Sequence, residues 1–129
     1  MIEQQNKLEL KINIKFKDQE LLKKSLIHKS HNNTDNNEKL EFLGDRVLGL
    51  VLAKTLLKIY PNEKEGVIDK KFANLVNKKT CLLIAKKIEL KKYMITGNSY
   101  KGLSRSDDKI IGDGLEALLG AIYLDQGIT

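Results

Sequence analysis

Proline, tryptophan, cysteine and histidine are all scarce in this sequence, and each scarcity narrows the possible fold and chemistry. One proline and no tryptophan occur in 129 residues, which favours helices over a β fold rich in turns. The single cysteine, Cys81, excludes an intramolecular disulfide, so we expect a core thiol and a reducing compartment. The two histidines, His28 and His31, belong to no recognisable ligand spacing, which disfavours zinc.

Several functional signals are missing as well. The first ten residues, MIEQQNKLEL, form no apolar h-region, and no run approaches the ~18 apolar residues that a membrane span needs. We therefore expect a cytoplasmic protein. Serine and cysteine nucleophile arrangements, phosphate-binding glycine loops and dinucleotide fingerprints are also absent.

What is present suits one globular domain. Hydrophobic residues make up 41% and charged residues 31% of the chain, so we predict a single domain over 1–129. The net charge of +6 suggests a polyanionic partner such as nucleic acid. Nearly all the basic residues are lysine, however, as AT-rich codon usage also produces, so charge alone leaves nucleic-acid binding open.

Apolar spacing predicts an all-α chain. Asp18 can cap the first predicted helix, Asn36 or Asn37 can cap the long second one, and Pro61 stops it. The polar segment 96–109 lacks apolar periodicity and predicts a loop. The predicted helices span about 18–30, 38–60, 68–76, 82–90 and 109–124.

Three carboxylates, Glu38, Glu41 and Asp45, share one stripe of the long helix. At 100° per residue they fall within about 60° of one another. The stripe continues into apolar positions, which predicts partial burial, and buried charges need partners or a metal. The opposite side, which we expect to face the core, carries Leu40, Leu43, Val47, Leu50 and Val51.

A second acidic pair, Asp113 and Glu116, lies at i, i+3 on the last helix, and Gly120 in the same stripe leaves room for a close neighbour. Two such helices could converge on a hard divalent cation, for which oxygen ligands suit Mg²⁺ or Mn²⁺. From periodicity alone, the alternative interpretation of dispersed surface acids stays open.

The segment EKLEFLGDRVL, Glu38–Leu48, closely resembles the signature of the ribonuclease III catalytic domain. Four further segments resemble that family in the same order: DQELLKKSLIHKS, the pair EG at 65–66, ANLVNKKT, and IIGDGLEALLGAIYLDQG. The resemblance covers about residues 8–127. It implies the all-α ribonuclease III endonuclease fold, which forms homodimers.

The resemblance also implies a reaction and a set of residues. The family hydrolyses double-stranded RNA, such as ribosomal RNA precursors, with Mg²⁺ (or Mn²⁺ in its place), leaving 5′-phosphate and 3′-hydroxyl ends. The implied metal ligands are Glu41, Asp45, Asp113 and Glu116, with Asp45 and Glu116 also catalytic, Glu38 and Glu65 assisting catalysis, and Phe42 packing into the partner subunit.

Basic residues of segments 77–79 and 100–109 are candidates for RNA phosphate contacts, although solvated surface lysines are an equally open interpretation: Lys78, Lys79, Arg105 and Lys109. The chain departs from the family pattern at Lys39, at Arg46, where a small residue is commonest, and at Gly114, where a bulkier one is common. The family pattern further includes one more helix and a linked double-stranded-RNA-binding domain, which we expect to be absent from this chain.

Two other functions remain open at this level. One is a catalytically silent RNA-binding or ribosome-associated member of the same fold, which would bind RNA without Mg²⁺-dependent products. The other is an all-α, Mg²⁺-dependent nucleotide pyrophosphohydrolase, which would release pyrophosphate from nucleoside triphosphates. The complete set of four family acids favours the nuclease.

Overall fold

The computed structural model describes residues 2–97 and 107–127, and this part of the chain contains helices and no strand. An isolated parallel bridge joins Ile27 to Ile95. The all-α prediction is therefore confirmed. The helices are α1 (Ile2–Ile12), α2 (Gln19–Ser25), α3 (Glu38–Ile59), α4 (Glu65–Leu75), α5 (Lys78–Lys87), a 3₁₀ helix (Leu90–Tyr93) and α6 (Asp107–Gln126).

Asp18 caps α2 as predicted, because its carboxylate accepts hydrogen bonds from two backbone N–H groups of the first turn. The predicted end of this helix near Ser30 is wrong, since α2 ends at Ser25. Residues 26–28 instead form backbone N–H···O bonds of 2.8 and 2.9 Å with Ile95. A partner distant in sequence thus ends the helix.

Helix α1 was not among the predicted helices. It buries Leu8 fully, and the buried Glu9 ties it to the following segment. One carboxylate oxygen of Glu9 accepts from the backbone N–H of Phe16 at 2.6 Å and from the side-chain amide of Gln19 at 2.9 Å. These contacts with residues beyond the helix hold α1 in place. Apolar spacing within the helix therefore gave little indication that it forms.

Helix α3 has the predicted length and ends just before Pro61. Asn37 occupies the cap position, but its side chain donates to the carbonyl of Ser25 at 3.1 Å and makes no cap bond. Asn36 supplies that bond instead, since its side-chain oxygen accepts from the N–H of Glu38 at 3.0 Å. Asn37 thus anchors the start of α3 to Ser25, and Asn36 caps the helix.

Helices α3 and α6 form the centre of the fold, with α2 and α5 also packed on α6. The face of α3 that we expected to be buried is only partly so. Leu40 is buried, whereas Leu50 and Val51 are exposed, so the prediction is wrong at these two positions. Because α3 meets α6 through Gly44, its buried face is rotated toward that glycine. The core comprises Leu8, Phe16, Leu22, Leu26, Leu40, Cys81, Ala85, Leu90, Ile111, Leu115, Ala117, Leu118 and Ala121.

Helix α6 spans Asp107–Gln126, so its first described residue lies two positions before the predicted start at Lys109. Cys81 is a core thiol, as expected. None of the described helices is long and apolar enough to cross a membrane.

Candidate active site

An open cavity of about 690 Å³ lies between the first turns of α3 and the first half of α6. The structure brings five of the six predicted acids to this cavity. Glu65 is the exception, since it lies exposed at the start of α4 and does not line the cavity. The lining acids are Glu38, Glu41 and Asp45 from α3, and Asp113 and Glu116 from α6.

Two glycines bring these helices into backbone contact. A Cβ atom at Gly44 would lie 1.6 Å from the carbonyl oxygen of Glu116, and one at Gly120 would lie 2.3 Å from the carbonyl oxygen of Leu40. No side chain fits at either position without moving a helix. Asp45 directly follows Gly44, so the close approach also sets its carboxylate beside that of Glu116.

Two of the acids, Glu116 and Glu41, have raised pKa values. Burial raises the pKa of Glu116 to about 7, helped by a hydrogen bond with Asp45 and by the negative charges of Asp45, Asp113 and Glu41. The pKa of Glu41 is raised by burial and then by the charge of Asp113. Glu116 is only 6% exposed. The cavity therefore concentrates negative charge that solvent cannot fully screen.

The chemistry of this donor set fits a divalent cation. Four carboxylates offer oxygen ligands to a hard ion such as Mg²⁺, and a cation would offset the negative charges that, after burial, raise the pKa values of Glu116 and Glu41. Within residues 2–97 and 107–127, however, no three His, Cys, Asp or Glu side chains are already arranged to hold a metal ion. The acids that would hold it are Glu41, Asp45, Asp113 and Glu116.

Basic side chains contact several of these acids. The ammonium of Lys109 donates to Asp113 at 2.7 Å. Arg46 lies 3.5 Å from Asp45. Lys29 lies 3.6 Å from Glu38.

Sequence reasoning missed His28 as a residue of the cavity wall. Its Nδ1 lies 2.8 Å from the hydroxyl of Ser30, and burial lowers its pKa. The ring nitrogen also accepts from the backbone N–H of Ser30 at 3.1 Å. The signal was present, because His28 lies in one of the segments that resemble the family signature.

A model of the family described as Ribonuclease-III-like matches residues 18–129. The chain belongs to this family. A ribonuclease 3 from Pelagibacter ubique is 62% identical over 123 residues, covering 95% of the chain and 55% of that relative. One from Methylococcus capsulatus is 43% identical over 129 residues, covering 99% of the chain and 56% of that relative. The chain thus spans about half the length of the curated relatives it matches.

Solved structures agree with this membership. The nuclease domain of ribonuclease III from Campylobacter jejuni superposes with a TM-score of 0.85 at 38% identity, covering 95% of this chain and 84% of that domain. A second structure of that domain, with a TM-score of 0.86, is described as flexible in a region involved in dimer formation. Dicer from Pichia stipitis superposes with a TM-score of 0.64 at 28% identity, covering 86% of this chain and 47% of that one.

The structure accounts for two departures of this ribonuclease-III-like chain from the family pattern. The guanidinium of Arg46 lies 3.8 Å from the ring centroid of Phe42 and donates to its carbonyl oxygen at 3.2 Å. A Cβ atom at Gly114 would lie 2.7 Å from the terminal carbon of Met94, so methionine fills the space of a bulkier side chain. Lys39 is exposed, and nothing in the structure explains it.

The predicted RNA-contacting residues have different surroundings. Lys78 lines the acidic cavity and a neighbouring one of about 310 Å³, whereas Lys79 lines only the neighbouring one. Lys109 lines both cavities. Arg105 lies outside the described residues.

The cavity acids affect the pKa of the buried Cys81 thiol. Burial raises its pKa to about 11, and the charges of Glu116, Asp45 and Asp113 add to this effect. The thiol is therefore mostly protonated at neutral pH, which makes it a poor nucleophile.

Proposed function

We propose that this chain is the catalytic part of a Mg²⁺-dependent endoribonuclease. It would hydrolyse double-stranded RNA, such as ribosomal RNA precursors in the cytoplasm, to 5′-phosphate and 3′-hydroxyl ends. The observation that carries the proposal is the meeting of Glu41, Asp45, Asp113 and Glu116 in one cavity of a ribonuclease-III-like chain. Relatives named ribonuclease 3 match nearly the whole chain, which does not favour a pyrophosphohydrolase.

The acids have a direct role in this chemistry. Mg²⁺ bound in the cavity would supply an activated water and neutralise the charge that develops on the phosphate. Asp45 and Glu116 would hold the ion from beside the contact of α3 with α6. Glu41 and Asp113 would hold it from about one turn nearer the start of each helix. The raised pKa of Glu116, about 7, supports this assignment, because a bound cation would offset the burial and the neighbouring negative charges that raise it.

The cavity also suits a duplex substrate. It is open, so a phosphodiester on the surface of a duplex could reach its acids. Lys29, Arg46 and Lys78 line the same cavity, and all three are exposed. Positive charges at that position would contact RNA phosphates on either side of the scissile bond. Recognition would then depend on backbone shape rather than on base sequence, since the major groove of RNA is too narrow to read.

A homodimer is part of the proposal. Phe42, Leu50 and Leu57 project from α3 and are 63%, 57% and 61% exposed. Apolar side chains of this size in one helix favour an interface. Because Phe42 and Asp45 both line the acidic cavity, a second copy packed on Phe42 would lie next to the site.

The test is incubation of the chain with a duplex RNA and with a single strand of the same sequence, with and without Mg²⁺. We expect cleavage of the duplex alone and only with Mg²⁺. The 5′ ends should be ligatable without added kinase, and the 3′ ends should be extendable by a polymerase. Equal cleavage of the single strand, or duplex cleavage in excess chelator, would contradict the proposal.

A further inference from the structure

Lys109 lines the acidic cavity and contacts one of its acids. It belongs to α6, and its ammonium donates to Oδ2 of Asp113 at 2.7 Å, one turn along the helix. The side chain of Asp113 is only 14% exposed, whereas that of Lys109 is 67% exposed. The lysine therefore reaches in from solvent to a largely buried carboxylate.

Helix stability explains little of this lysine's position. The order of the pair, with the lysine four residues before the acid, is the less stabilising one. The cavity offers a better reason, since Asp113 shares it with Glu41, Asp45 and Glu116 and the four negative charges repel one another.

Among the described residues, only two basic side chains form ion pairs with these four acids. The pair of Arg46 with Asp45 is longer, 3.5 Å, and both side chains are more than half exposed. The pair of Lys109 with Asp113 is both shorter and more buried on the acidic side. Lys109 is therefore the principal counter-charge inside the cavity.

We propose that Lys109 is a built-in counter-cation of Asp113, and that a divalent metal ion must displace it to use this carboxylate. The inference rests on the proposed function, because it takes Asp113 as a metal ligand. An ammonium and a metal ion on one carboxylate would repel each other. Since the lysine is exposed and has a flexible stem, its displacement costs little. The side chain lowers metal affinity and holds Asp113 in place until the ion arrives.

Metal affinity tests the proposal without any nuclease assay. Isothermal titration of the RNA-free chain with Mn²⁺ and Mg²⁺ compares the wild type with Lys109→Gln. Removing the charge should tighten binding about 3- to 10-fold. Lys109→Met should do the same, whereas Lys109→Arg should keep the wild-type affinity. Lys86→Gln is the matched control, because Lys86 pairs with Asp108 at 4.0 Å but lines neither cavity, so its affinity should stay within about 2-fold.

Thermal unfolding gives a second readout. Without metal, Lys109→Gln should melt below the wild type, because Asp113 loses its partner, and saturating Mn²⁺ should close that gap. Wild-type binding with equal or weaker binding by Lys109→Gln and Lys109→Met would overturn this inference alone. Failure of both the wild type and these variants to bind either metal would overturn the inference together with the metal-dependent function.

Discussion

Gly44 of α3 and Glu116 of α6 meet backbone to backbone, so that a Cβ atom on the glycine would lie 1.6 Å from the carbonyl oxygen of the glutamate. The contact has two effects. It packs the two central helices, and it places Asp45, the next residue, where it raises the pKa of the Glu116 carboxyl. The fold and the site therefore depend on the same crossing.

Gly44→Ala should destabilise the chain by about 2–4 kcal/mol, because the added methyl group forces the helices apart. Chemical denaturation measures the change in the free energy of unfolding. Gly49→Ala in the same helix is the control. Its Cβ would lie 3.6 Å from the ring of Phe72, an ordinary contact, so removing a helical glycine should be neutral or stabilise by up to about 1 kcal/mol. Equal effects at both positions would show that the crossing is looser than described.

The stability of the metal-free chain should depend on the protonation of Glu116. Its pKa rises from 4.5 to about 7 on folding, so between these values the folded chain binds more protons than the unfolded chain. The contribution of Glu116 to the free energy of unfolding is then fully present below about pH 4.5 and is lost as the pH rises through 7. We expect a loss of about 1–3 kcal/mol across this window.

Glu116→Gln should remove most of this pH dependence, since the amide cannot ionise. Urea denaturation at a series of pH values in chelator measures it. Glu63→Gln, at an exposed position outside the cavity, is the control and should keep the wild-type slope. A Glu116→Gln profile that matches the wild type would assign the pH dependence to other groups.

Arg46 should contact phosphate from its place on the ring of Phe42. Arg46→Ala should weaken duplex RNA binding at all sequences and reduce the slope of log Kd against log salt by about 1. Lys58→Ala, near the other end of α3, should leave the slope nearly unchanged. Binding titrations at several salt concentrations, in Ca²⁺ to prevent cleavage, measure both. An unchanged slope for Arg46→Ala would limit Arg46 to its contact with Phe42.

Phe42→Ala should convert the proposed dimer to monomer without unfolding it, because the ring is 63% exposed within one chain. Sedimentation over a range of concentrations measures the association, and circular dichroism checks the fold. Leu10→Ala, at an 81% exposed position on α1, is the control and should not change association. A wild-type chain that stays monomeric at all concentrations would refute the dimer.

Spacing within a single helix was sufficient to predict which acids share a face. The stripe of Glu38, Glu41 and Asp45 and the pair Asp113 and Glu116 all line the cavity, as the periodicity indicated. The cap at Asp18 and the stop before Pro61 were equally readable. These signals are local, so they do not depend on how the helices pack.

Contacts between distant segments could not be read in this way. Leu50 and Val51 follow the apolar periodicity of α3 but are exposed, because the glycine crossing decides which face meets α6. The position of Glu65 outside the cavity follows from the path of α4 and not from its spacing. The ion pair of Lys109 with Asp113 was open to prediction from its i, i+4 spacing. Its role as a counter-charge can be inferred only once the cavity is known.

The most direct test of the central claim is the Mg²⁺-dependent rate of duplex RNA cleavage by the wild type, Asp45→Asn and Glu116→Gln. We predict that either substitution lowers the rate at least about 100-fold, while circular dichroism and sedimentation remain those of the wild type. Asp69→Asn, an exposed acid of α4 outside the cavity, should cleave at the wild-type rate. Wild-type cleavage by Glu116→Gln or Asp45→Asn would contradict the claim that these acids form the active site.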